Sequence, residues 1–221
     1  MSGLSDLLDY RDVHVLGNLP NQFCDGAVLR TTRGIPHLTD HEYAKSLERF
    51  IKVCGDVLFY YKDDADRVVV FLPMRARRPQ RGRWVVGGQR TPFVLREFSV
   101  HQRVTVETGL QVKPGRFQEV PGEFEYQWAE SEQGTQGQHV LAKLFCCELT
   151  DEERARITLD NEYDCDPADC WFPLDEALQE VHNIHPALRA MLLAFRDRNS
   201  NFVHKHSDAR RSIYEAVHKL D

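Results

Sequence analysis

The chain has 221 residues, 42% hydrophobic and 28% charged, which is enough apolar material for one large domain with an extension. Lys and Arg number 28 against 34 Asp and Glu, a net charge of −6 that argues against a protein built to coat nucleic acid. No apolar run approaches the ~18 residues of a membrane span, and the start (Met1-Ser2-Gly3-Leu4) lacks a secretory pattern, so we expect a cytoplasmic protein with no nucleic-acid or membrane partner.

Six cysteines are too few for a disulfide scaffold, and no Cys-x-x-Cys pair exists. Cys146–Cys147 and the Cys165/Cys170 pair therefore read as buried thiols.

Residues 1–36 have weak periodicity and many turn formers, with short strands expected around 13–16 and 27–31. Thr39-Asp40-His41-Glu42 is a capping box. Tyr43, Leu47, Phe50, Ile51 and Cys54 then keep helical spacing, so a helix is predicted from Thr39 to a stop at Gly55. Strands are predicted at 57–61 and 67–72, joined by the acidic turn 62–66. An arginine-rich loop, 75–83, leads into Trp84-Val85-Val86-Gly87-Gly88. Thr91-Pro92 opens a second helix, which stops at Gly109 and places Phe93, Phe98 and Val104 in the core.

Further strands are expected near 116–128 and 138–148, around a polar loop at 129–137. Thr150-Asp151-Glu152-Glu153 starts a short helix. An acidic loop, 160–169, precedes a strand at 170–172, and helices follow at about 174–181, 186–198 and 207–219. Helices alternating with paired strands indicate a mixed α/β (α+β) class.

The strand, glycine pair, loop, helix and glycine at 84–110 resemble the Nudix box. Its pattern is Gly, five residues, Glu, seven residues, then Arg-Glu-U-x-Glu-Glu-x-Gly-U, with U aliphatic. Laid from Gly88, the spacing closes on Gly109-Leu110. Val94, Gln102, Arg103 and Val106 replace charged positions, and Glu107 alone remains of the metal carboxylates. Arg103 lies one turn before Glu107 and is placed to pair with it, in competition with a metal.

The GDP-mannose mannosyl hydrolase branch also lacks two of these glutamates. Arg75-Ala76-Arg77-Arg78-Pro79-Gln80-Arg81-Gly82-Arg83-Trp84 is similar to a segment of that branch. So are the strand start at Gln138-His139-Val140, the acidic loop before Trp171, and Val181-His182-Asn183-Ile184-His185. Coverage is roughly 38–195.

The resemblance implies a Nudix-like α/β/α sandwich with a mixed β-sheet over 38–200. An N-terminal extension at 1–37 and a helical tail at 201–221 flank it. It also implies one Mg²⁺ held by Glu107, the Gly88 carbonyl and Glu162. Arg75 would stabilise a leaving diphosphate, a task that suits a guanidinium fork. Glu162 would assist as ligand or base, since no histidine stands in the loop. Arg75, Arg90, Tyr163 and His139 would contact substrate, although His139 also reads as a hydrogen-bonded strand residue.

Three functions follow from these readings. The first is a Mg²⁺-dependent hydrolase of a nucleoside diphosphate sugar or a similar anionic small molecule. The second is a Nudix-like domain without catalysis that binds a nucleotide-linked ligand or a protein partner. The third is a structural subunit, with 1–36 forming a homodimer contact.

Overall fold

The computed structural model describes residues 14–15, 23–24, 39–77, 81–91, 94–128, 137–179 and 184–199. The strand expected around 27–31, the tail helix at 207–219, Phe93, Arg78 and His182 lie outside the described residues. Most of the 1–37 extension does so too. Its described residues form a two-stranded antiparallel pair, β1 (His14–Val15) with β2 (Phe23–Cys24).

Helix α1 (Asp40–Arg49) begins at the predicted capping box: the Thr39 hydroxyl accepts from the Glu42 amide, and the Glu42 carboxylate accepts from the Thr39 amide. It does not run on to Gly55. Phe50 is already extended, and residues 52–62 form β3 (Lys52–Lys62). The reason is non-local. Residues 52–60 pair in parallel with residues 140–148 of β10 (Gln138–Glu148), and that ladder outweighs a helical spacing that would have continued. Phe50 and Ile51, counted on the helix face, are exposed.

A hairpin joins β3 to β4 (Val68–Phe71). The Asp63 carboxylate accepts from the Ala65 and Arg67 amides, and Asp66 takes a positive φ of 58°. The arginine-rich loop contains a short antiparallel pair, β5 (Met74–Arg75) with β6 (Gly82–Arg83). Then come β7 (Val86–Gln89) and α2 (Arg96–Thr108), which ends at left-handed Gly109. Because α2 starts at Arg96, its inward stripe is Glu97, Val100, Val104, Glu107 and Thr108. Phe98 faces outward and is exposed, whereas Val104 is buried as expected.

β8 (Gln118–Glu119) and β9 (Phe124–Trp128) precede β10. A second capping box, at Thr150, opens α3 (Asp151–Arg154). β11 (Trp171–Pro173), α4 (Leu174–Leu178) and α5 (Pro186–Asn199) complete the order.

The main sheet runs β11-β4-β3-β10-β8, with β7 also on β3 and β9 also on β10. The β3–β10 pair is parallel and the others antiparallel, so the sheet is mixed. Alternation along β3 sends side chains to two cores. Leu58 and Tyr60 join Leu188, Met191, Leu192 and Phe195 of α5. Val57 and Phe59 join Val100 and Val104 of α2. Helices thus cover both faces. Among the described residues, no helix is long and apolar enough to cross a membrane.

Candidate functional site

Two glycines sit where β3, β7 and α2 come together. A Cβ on Gly55 would lie 2.6 Å from Val100 Cγ2, so the α2 contact requires glycine there. Gly87 has φ +124°, and a Cβ on it would lie 2.4 Å from the Gly55 carbonyl oxygen. With both side chains absent, the Gly87 amide reaches Glu107 and donates to Oε2 at 2.8 Å.

Glu107 is fully buried (1% exposed) and accepts two further donors. The Tyr163 hydroxyl donates to Oε2 at 2.7 Å, and Arg103 Nη2 donates to Oε1 at 2.5 Å. Burial raises the Glu107 carboxyl above its ordinary range, and Arg103 opposes that shift. Burial also pushes the Tyr163 hydroxyl well up, so it stays a donor.

The loop at 162–170 lies as a strap against residues 72–76. Ala76 N–H donates to the Glu162 carbonyl at 2.9 Å, Asp164 N–H to the Met74 carbonyl at 2.9 Å, and Arg75 bridges Tyr163. This register brings Arg75 Nη2 to 2.7 Å from Glu162 Oε2. Glu162 Oε1 lies 3.9 Å from Arg103 Nη2. Charges therefore alternate in a row: Arg75, Glu162, Arg103, Glu107. Among the described residues, the buried Nε atoms of Arg75 and Arg103 have no hydrogen-bond partner.

A cleft of about 320 Å³ opens beside this row. Lys52, Arg75, Arg77 and Arg103 line it against Asp56 and Glu162, with Tyr43, Trp84, Tyr126 and Trp128 as aromatic walls. Trp84 meets Tyr126 edge-on at 5.7 Å and Trp128 at 5.5 Å, and His185 packs on Trp128 at 4.3 Å. Burial lowers the affinity of His185 for its second proton. The composition suits an anion at one end and an aromatic or apolar group at the other.

Asp56 is buried in the cleft wall. Burial pushes its carboxyl up to about 7, and the Tyr126 hydroxyl, donating at 3.2 Å, offsets this only in part. The unfolded chain releases this proton near pH ~4. The folded chain holds it longer, so the stability it contributes is fully present below that pH and is lost as pH rises through about 7. Urea midpoints measured from pH 4 to 8 are expected to fall more steeply for the wild type than for Asp56→Asn. Parallel slopes would contradict this.

The structure gathers Arg75, Glu162, Tyr163 and Glu107 in one row and puts Gly88 in the cleft wall beside Arg103. It does not bring in Arg90 or His139. Arg90 turns to the α2 side of the sheet, where its Cγ is 3.9 Å from the position of a Gly55 Cβ. On β10, Gln138 and Val140 line the cleft, so His139 between them points away and meets Glu125 at 2.7 Å.

Sequence reasoning missed Asp56, Tyr126 and Trp128. The signals were present: a lone acid inside an apolar strand run, and aromatic side chains alternating at Phe124, Tyr126 and Trp128.

The expected metal donors do not fit a divalent cation as they stand. Both Glu107 oxygens are engaged, one of them by a guanidinium, and Glu162 is held by Arg75. Hard cations need several free oxygen ligands. Among the described residues, no group of three or more His, Cys, Asp or Glu is placed to hold a metal.

No family model and no curated protein matches the sequence. Among solved structures, the chain is similar to the MutT protein from Methanosarcina mazei Go1. Identity is 17%, coverage is 71% of this chain and 100% of that one, and the TM-score is 0.50. The fold is Nudix-like. A C. elegans Ap4A hydrolase in a binary complex is 13% identical over 68% of this chain and 98% of that one, with a TM-score of 0.49. A MutT NUDIX hydrolase from Burkholderia pseudomallei is 17% identical over 67% and 98%, with a TM-score of 0.45. At these identities the likeness concerns the fold, and function has to be argued from the site.

Proposed function

We propose that the chain is a Nudix-like domain that binds a nucleoside diphosphate sugar or a related nucleotide-linked anion, with Arg75 and Arg103 in place of Mg²⁺. The observation that carries this reading is the Arg103 guanidinium seated on Glu107. A fixed cation stands against the one box carboxylate that remains. Arg75 supplies a second fork nearby, and such forks match diphosphate oxygens in a bidentate manner. The aromatic walls would take the base or sugar. We assign this domain to 38–200.

Mg²⁺-dependent hydrolysis is the second reading, favoured by Glu107 and Glu162 standing on either side of Arg103. It requires Arg103 to leave. Calorimetric titration of a nucleoside diphosphate sugar in EDTA and again in millimolar Mg²⁺, with product analysis in both, separates the two. Binding without turnover supports the first, whereas turnover that needs Mg²⁺ and is lost in Glu107→Gln supports the second.

Arg103→Glu tests the built-in cation directly. Two buried carboxylates one turn apart repel. The variant is expected to be less stable than wild type in EDTA and to recover in melting temperature with Mn²⁺, while the wild type shows no Mn²⁺ effect. An Mn²⁺ response in the wild type would contradict the assignment.

A further inference from the structure

The strap carries a pair of thiols that the cleft chemistry leaves unused. Cys165 is half-buried, Cys170 is fully buried, and their sulfurs lie 3.0 Å apart. Both are free thiols. A disulfide would need the sulfurs to close to about 2.05 Å, a contraction of roughly 1 Å.

The backbone already holds the two positions together. The Asp166 carboxylate accepts from the Ala168 amide at 2.8 Å, its carbonyl accepts from the Asp169 amide at 3.0 Å, and Pro167 opens a 3-10 turn at 167–170. This turn folds residue 170 back onto residue 165. Both ends of the turn are pinned to the neighbouring strand segment: Leu72 N–H donates to the Cys170 carbonyl at 2.8 Å, and Asp164 N–H to the Met74 carbonyl at 2.9 Å. Closure therefore starts from sulfurs already 3.0 Å apart, on a backbone held at both ends. Of the other cysteines, Cys24 belongs to β2, Cys54 to β3, and Cys146 and Cys147 to β10.

The two sulfurs differ in a way that sets the order of events. Solvent reaches Cys165, and the Met74 amide donates to its sulfur at 3.1 Å. Cys170 is enclosed, and its S–H faces the Cys165 sulfur and the Asp166 carbonyl at 3.1 Å. Burial pushes the Cys170 thiol up to about 12, so it keeps its proton until a partner is in place.

We infer that Cys165 and Cys170 are a redox-active dithiol, which a hydroperoxide converts to a disulfide within the strap. In the first step the Cys165 sulfur attacks the peroxide. An S–O bond forms, the O–O bond breaks, an alcohol or water departs, and Cys165 becomes a sulfenic acid. In the second step the Cys170 sulfur attacks the Cys165 sulfur. The S–S bond forms, the S–O bond breaks, and the hydroxyl leaves as water with the Cys170 proton. The two thiols are oxidised by two electrons in total, and one hydroperoxide is reduced. The ring that closes lies directly after Glu162 and Tyr163, on the element that holds Arg75 and Glu107.

The full chain supplies its own test, because one tryptic peptide, residues 157–189, contains both cysteines and no other. The protein is treated with a small excess of hydrogen peroxide, unfolded in urea, alkylated with a maleimide and digested. The expected peptide is lighter than the reduced one by two hydrogen atoms, carries no maleimide, and regains two labels after dithiothreitol. In Cys165→Ser the Cys170 thiol is expected to label fully after the same treatment. Three results would each overturn the inference: full labelling of both cysteines in the oxidised wild type, Cys165 recovered as a sulfinic or sulfonic acid, or a disulfide from either one to Cys24, Cys54, Cys146 or Cys147.

Discussion

Glu107→Ala is expected to lower unfolding stability by about 3 kcal/mol or more, read as a reduced urea midpoint with an unchanged slope. The carboxylate is fully buried and satisfies three donors at once. Its removal strands the Gly87 amide and the Tyr163 hydroxyl and leaves Arg103 without its counter-charge. A third of the Arg103 side chain is exposed, so the guanidinium has a route to water that limits the damage.

Arg103→Ala is worse placed, because the buried carboxyl left behind has no such route. The double variant is expected to lose less than the sum of the two single ones, as coupled partners do. A Glu107→Ala protein within about 0.5 kcal/mol of wild type would show that this pair holds nothing together.

Arg75→Ala is expected to weaken binding of a nucleoside diphosphate about 30-fold, equivalent to roughly 2 kcal/mol, in a calorimetric titration. Two effects act in the same direction. One guanidinium fork is lost from the cleft, and Glu162, freed from its 2.7 Å partner, adds an uncompensated negative charge beside the anion. Arg75→Lys is not expected to restore affinity, because an ammonium is a point charge and cannot reproduce the fork. Affinity unchanged in Arg75→Ala would remove Arg75 from the site.

What was legible in the sequence was local. The capping box at Thr39, the helix start at Thr150 and the stop at Gly109 involve groups within a few residues of each other, and the structure shows all three. The end of α1 was not legible. Phe50, Ile51 and Cys54 keep helical spacing, and only the parallel ladder with residues 140–148, far along the chain, makes that stretch a strand.

The same distinction runs through the site. Arg103 and Glu107 are one helical turn apart, so their pairing could be read directly. The Arg75–Glu162 contact spans 87 residues and was not legible: the family resemblance suggested a role for each residue but did not pair them. Strand parity then decides between neighbours. Gln138 and Val140 face the cleft and His139 does not, a choice fixed by pairing register rather than by residue type. Asp56 stood out as an acid within an apolar run, but its place in the cleft depends on which face of the strand is buried, which the run alone does not give.

In the proposed function, two guanidinium groups do the work of a metal. The most direct measurement is the dissociation constant of a nucleoside diphosphate sugar, titrated calorimetrically in EDTA and again in millimolar Mg²⁺, with the products analysed afterwards. Equal affinity in both buffers and unchanged ligand are expected. Affinity at least about ten-fold tighter with Mg²⁺, or Mg²⁺-dependent turnover lost in Glu107→Gln, would contradict it.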